Sequence, residues 1–68
     1  MQTYKDLNDK IRELGGELDE AGINWQWAMF PSTETATEFH NWLDSGWETR
    51  GVYPETAKDL AGVRFRRA

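Results

Sequence analysis

With no cysteine and a single histidine, this chain has neither a disulfide nor a set of zinc ligands with which to staple a small fold. Packing alone must hold it. A domain of 68 residues buries only about 60% of the surface that its unfolded chain exposes. At about 0.05–0.15 kcal/mol per residue, the expected stability is about 3–10 kcal/mol. The material for a core is largely aromatic: four Trp, three Phe and two Tyr. Charged residues make up 29% of the chain and apolar ones 38%, a balance too polar for a membrane protein and too aromatic for a disordered one. The uncharged stretch from Ala21 to Thr33 contains Asn24, Gln26 and Pro31. The sequence therefore predicts no transmembrane helix or signal-peptide core, and cytoplasmic residence is the default. No repeat, low-complexity segment or linker divides residues 1–68, which read as one domain.

Hydrophobic spacing gives the coarse architecture. Tyr4, Leu7, Ile11, Leu14 and Leu18 recur at intervals of three and four, the stripe of an amphipathic helix. Thr3 is a plausible N-cap, with Asp6 at the third helical position. Gly15 and Gly16 interrupt the stripe at a cost of about 2 kcal/mol relative to alanines. Leu18 and Ala21 nevertheless stay in phase and Gly22 suits the position after a helix, so the helix is expected to continue to Gly22. Ile23–Phe30 alternates, with Ile23, Trp25, Trp27 and Met29 on one face and Asn24, Gln26, Ala28 and Phe30 on the other. That is a strand, and its tryptophan face is assigned to the core.

Ser32 caps a second helix, Thr33–Ser45, with an Ala36/Phe39/Leu43 stripe and Gly46 at its end. Trp47–Tyr53 reads as a second strand in which Gly51 marks a bulge or a close backbone approach, and Pro54 ends it. Glu55–Ala61 reads as a helical turn or ordered loop, and Val63–Arg67 as a last strand. The predicted fold is α+β, in α-β-α-β-β order. It has two layers: a small three-stranded sheet, with a right-handed crossover between parallel strands, covered on one face by two helices.

Enzymatic chemistry lacks a residue set. A nucleophile needs a base, and the only histidine, His40, lies beside Phe39 and Leu43, while Ser32 and Ser45 stand about 20 Å apart at opposite ends of the same helix. His40 reads as a helix-flank residue half covered by aromatics. Gly15-Gly16 lacks the lysine and preceding strand of a phosphate loop. No catalytic residue, cofactor or metal site is expected, and the chain does not read as an enzyme.

Charge and rings remain. Residues 1–48 hold ten acids against Lys5, Lys10 and Arg12, whereas residues 49–68 hold two acids against five bases. Asp9, Glu13, Glu17 and Glu20 follow at +4, +4 and +3 along one side of the predicted helix. Such a row is either a hydrated face or an acidic surface that competes for Lys and Arg side chains which otherwise hold phosphates. A calcium site would need a loop of converging oxygens that the row does not provide. Arg64, Arg66 and Arg67 flank Phe65 in the tail. They read as solubilising residues of an edge strand, as a docking strand, or as a grip on single-stranded nucleic acid. A pI of about 4.8 disfavours the last. Trp42 lies off the second helix's stripe and Phe30 points away from the tryptophan face, so these two are the candidate surface anchors.

In size, acidity, aromatic content and lack of a catalytic set, the chain resembles the small inhibitors encoded by bacteriophages, including the anti-CRISPR proteins. The resemblance is one of class and rests on no shared motif. It implies docking onto a larger, basic host protein or nucleoprotein complex that handles nucleic acid, and blocking of that complex. Asp9, Glu13, Glu17, Glu20, Phe30, Trp42, Arg64 and Arg66 are the expected contact residues. The alternative is a small nucleic-acid-binding domain that uses the basic C-terminal strand.

Overall fold

A computed structural model describes residues 2–19, 25–54 and 60–68. Helix α1, Tyr4–Glu13, starts as the sequence predicts. Thr3 Oγ1 accepts from the Asp6 amide at 3.2 Å and the Asp6 carboxylate accepts from the Thr3 amide at 2.9 Å, so the two residues form a reciprocal capping box. Leu7 and Ile11 are buried.

The helix stops well before Gly22. Gly15 has φ +78°, its N–H donates to Arg12 O at 3.0 Å, and the Gly16 N–H donates to Ile11 O at 2.8 Å. Together these form a Schellman termination. A Cβ on Gly16 would stand 2.6 Å from Met29 O and 2.7 Å from the Phe30 ring, so the second glycine lets the turn pack against the sheet. The glycine pair is thus a stop signal. Leu18, which seemed to prolong the stripe, lies in a strand, β1, Glu17–Asp19. Ala21 and Gly22 lie outside the described residues.

The other elements are β2 (Gln26–Phe30), α2 (Thr33–Trp42), β3 (Trp47–Tyr53) and β4 (Ala61–Arg67). Ser32 caps α2, accepting from the Thr35 amide at 3.2 Å. The register of β3 shifts between Thr49 and Val52, and Gly51 has φ +85°, so the glycine does mark a bulge. The helical turn expected at Glu55–Ala61 falls mostly outside the described residues, and Ala61 itself opens β4.

The fold is α+β, but the sheet has four strands where three were expected. Its order is β1-β2-β4-β3 and every neighbouring pair is antiparallel. β2 and β3 each run antiparallel to β4 and therefore parallel to one another, as the crossover reading requires. They are not neighbours: the last strand enters between them, which makes a split β-α-β unit preceded by an α-β pair.

One helical layer covers one face. The core joins Leu7 and Ile11 of α1, Ala36 and Phe39 of α2, Ala28 and Phe30 of β2, Trp47 of β3, and Ala61, Val63 and Phe65 of β4. Phe39 is central, 5.1 Å from Phe30 and 5.7 Å from Phe65 between ring centroids.

β4 decides which face of β2 turns inward. It alternates between Ala61, Val63, Phe65 and Gly62, Arg64, Arg66, and burying unpaired arginines would be far more costly than exposing indoles. Register places Ala28 beside Val63 and Phe30 beside Ala61, and residues directly opposite across a ladder share a face. The tryptophan face of β2 is consequently turned away from the helices, against the sequence expectation. Phe30, expected as a surface anchor, is 0% exposed.

Candidate interaction surfaces

The sheet face opposite the helices is assembled by strand register. Glu17 of β1 stands beside Met29 of β2, Met29 beside Gly62 of β4, and Gly62 beside Tyr53 of β3. In the next row Asp19 stands beside Trp27 and Trp27 beside Arg64. Beyond that, Arg66 pairs with Glu48, with Nε 2.7 Å from Oε2. The face thus has an acidic edge, an aromatic strand next to it, and arginines beyond.

Its rings and guanidiniums interlock. Trp25, the residue before β2, lies under two arginines, Arg66 at 4.5 Å and Arg50 at 4.9 Å from the ring centroid. Arg64 lies 5.4 Å from Trp27 and 5.6 Å from Tyr53, and those two rings are 5.1 Å apart. Contacts of this type contribute about 0.5–1 kcal/mol each at exposed sites. The Trp27 indole lies across Gly62, where a Cβ would come 2.1 Å from its Cζ2. Trp25 and Trp27 are half-buried and Tyr53 is 39% exposed, and both described helices lie on the other face of the sheet.

A second surface lies on the helical side. Gln2, Asp6, Asp9, Lys10, Glu13 and Trp42 line a groove of about 550 Å³. Gln2 ties its two walls together: Nε2 donates to Trp42 O at 2.9 Å, and Oε1 accepts from the Asp44 amide at 3.0 Å. Trp42 stacks on Phe39 at 6.0 Å, and the Lys10 ammonium lies 5.8 Å from its ring. Lys10 also pairs with Glu13 at 3.1 Å, and Lys5 with Asp9 at 2.9 Å. The Lys5–Asp9 pair is exposed and contributes little, whereas Lys10 is half-buried. The hydrogen bond to Asp9, then its charge, raises the Lys5 pKa.

The Thr3 backbone N–H, and after it the Thr3 side chain, hold the Asp6 carboxyl below its ordinary 3.8. A depressed carboxyl stabilises the fold above its unfolded pKa, and the contribution disappears as pH falls through the folded value. Asp6→Asn, which keeps an acceptor but not the charge, is expected to be less stable than the parent near neutral pH. The difference in melting temperature should close as pH falls from about 4 towards 2. Paired thermal unfolding curves across that range measure it, and a constant gap would mean that the charge is not responsible.

The expected contact residues are therefore divided. Asp9, Glu13 and Trp42 come together in the groove. Arg64 and Arg66 lie on the open sheet face. Glu17 is on β1, exposed on that same open face beside Met29, so the acidic residues do not form a single helical row. Glu20 lies outside the described residues, and Phe30 is core.

Sequence reasoning assigned Trp25 and Trp27 to the core and passed over Tyr53 and Arg50. The alternation of β4 was the signal that could have found them, once β4 was placed beside β2. Arg67 falls on the helical side, 4.4 Å from the Trp47 ring and 5.2 Å from Tyr4. His40 is half-buried, its Nε2 3.0 Å from Thr49 Oγ1.

Among the described residues no group of three or more His, Cys, Asp or Glu is placed to hold a metal ion, and no helix is long and apolar enough to cross a membrane. No family model, curated protein or solved structure matches this chain.

Proposed function

We propose that the chain is a small, non-catalytic protein-interaction module. The observation that carries this reading is the open sheet face, where Trp25, Trp27 and Tyr53 interleave with Arg50, Arg64 and Arg66. Trp, Tyr and Arg are the residues that dominate protein interfaces, and both described helices cover the other face of the sheet.

The groove supports a narrower version, that of a phage-type inhibitor which blocks a larger, basic, nucleic-acid-handling complex. A lysine or arginine entering it would meet Asp6, Asp9 and Glu13 and an indole wall, the environment Lys10 already occupies. Of the original acidic residues, Asp9 and Glu13 are the two that carry this version.

The alternative, a nucleic-acid-binding domain, draws support from Arg64 and Arg66 beside stacked rings. Glu17, Asp19 and Glu48 share that face, and the chain carries a net charge of −4, which opposes phosphate binding.

Isotope-labelled chain titrated with an arginine-rich peptide, and separately with oligo-dT, tests these readings by NMR. The peptide should shift the Trp42 indole and the Asp9 and Glu13 amides, and Asp9→Lys with Glu13→Lys should weaken it by about tenfold. No shift in the groove would remove the inhibitor version. Salt-sensitive shifts of Trp25 and Trp27 with oligo-dT would favour the alternative.

A further inference from the structure

We infer that the open sheet face is where two copies of this chain meet, stacked sheet on sheet about a two-fold axis parallel to the strands. The inference rests on reading that face as a protein-contact surface, and it names the occupant.

The charge pattern selects the geometry. A two-fold axis that brings two such faces together must lie in the plane between them. If it ran across the strands, each strand would lie over its own counterpart. Arg64 would then face Arg64 where the axis crosses its row, and at any height the Glu17/Asp19 edge would face the same edge, a like-charge arrangement that opposes association. An axis along the strands exchanges the two sides of the sheet instead. β1 then lies over β3 of the second copy and β2 over its β4. Trp27 faces Arg64 of the second copy, Trp25 faces its Arg66, and the acidic edge lies over β3, with Glu17 opposite Tyr53 and the one acid of that strand, Glu48, paired with Arg66. Each contact occurs twice, as an isologous interface requires. The face is thus self-complementary in one orientation and self-repelling in the other.

Size sets the strength. Strands about 4.8 Å apart and about five residues long at 3.4 Å per residue make a platform of about 20 by 17 Å, about 340 Å² per copy and below the roughly 800 Å² per partner of a standard interface. The dimer is therefore weak and reversible. Stacked sheets lie about 10 Å apart, and sheet twist lets the strands of the two copies cross at about 30°, each set inclined by about 15° to the axis. The helices, and with them both acidic grooves, face outward, so the dimer presents two grooves to a larger partner.

Sedimentation velocity from about 1 µM to 1 mM should show the mass rising from 7.9 kDa towards twice that value. Arg64→Glu, at an exposed position, should raise the dissociation constant at least about tenfold, with an unchanged circular dichroism spectrum showing that the variant folds. Because the chain has no cysteine, Glu17→Cys and Tyr53→Cys can be placed on separate copies and joined by a short bismaleimide. These residues share one row on opposite sides of the sheet, so the mixture should cross-link and neither variant alone should.

A dimer that survives Arg64→Glu, or in which Glu17→Cys cross-links to itself, would overturn the proposed geometry. A chain that stays monomeric at 1 mM would overturn the dimer. If such a monomer also fails to bind oligo-dT, the protein-contact reading of the face stands with a different occupant. If it binds oligo-dT through Trp25 and Trp27, that reading falls too.

Discussion

Phe39→Ala is expected to remove a large share of the stability of the chain. Phe39 is fully buried, and its ring meets Phe30, Phe65 and Trp42 with centroids 5.1–6.0 Å apart. It therefore joins α2 to both central strands and supports the wall of the groove. Truncating a buried Phe costs about 3–5 kcal/mol, against a total of about 3–10 kcal/mol for a chain of this length. With no disulfide to limit the unfolded state, nothing offsets that loss. At about 4–8 °C per kcal/mol for small domains, the melting temperature should fall by more than about 12 °C. A fall of less than about 5 °C would mean that α2 does not pack on the sheet through this ring.

Gly62→Val should be the most damaging substitution on the other side of the sheet. Gly62 is on the central strand β4, and the space a Cβ would need is filled by the Trp27 indole, with ring atoms 2.1, 2.5 and 2.7 Å away. Either the indole swings off the sheet or the strands separate, at about 1–3 kcal/mol. If the indole moves, it also leaves Tyr53 and Arg64, so protein contacts made by the open face should weaken along with stability. Chemical denaturation of Gly62→Val, Trp27→Ala and the double variant measures the coupling. The double variant should be more stable than the sum of the single losses by about 1 kcal/mol or more. Strict additivity would show that the two side chains do not compete for one space.

Both substitutions concern the arrangement of faces, which is where sequence and structure part. The Leu7/Ile11 stripe, the Thr3 and Ser32 caps, the α2 core positions Ala36 and Phe39, the bounds of β3 and the bulge at Gly51 were all legible. Each depends on groups within a few residues of one another along the chain. Gly15-Gly16 was ambiguous because Leu18 continues a helical phase by coincidence. What makes the pair a stop is room against Met29 and Phe30, residues that come after it in sequence. Phe30 and the two tryptophans of the β2 segment were assigned to opposite sides of the sheet from the ones they occupy. Within Ile23–Phe30 both faces are apolar enough to be core.

The candidate site was legible only in part. Asp9, Glu13 and Trp42 do share a groove, because one turn of α1 and the end of α2 are brought together by Gln2 and Asp44. Arg64 and Arg66 were singled out for charge, but their partners were missed, since nothing local places a C-terminal strand beside β2.

By itself the sequence determined that this chain would be an acidic α+β unit held by ring packing, with its helix starts and alternating strands in place. Caps, periodicity and composition act over short stretches of chain, and they need no partner from elsewhere in the fold to take effect. Only the tertiary structure decided that β4 enters between β2 and β3, and with it which rings are core and which are surface. A strand's two faces are distinguished by what lies beside it in the sheet, and here it was the alternating arginines of β4 that turned Phe30 inward and left Trp25 and Trp27 on the open side.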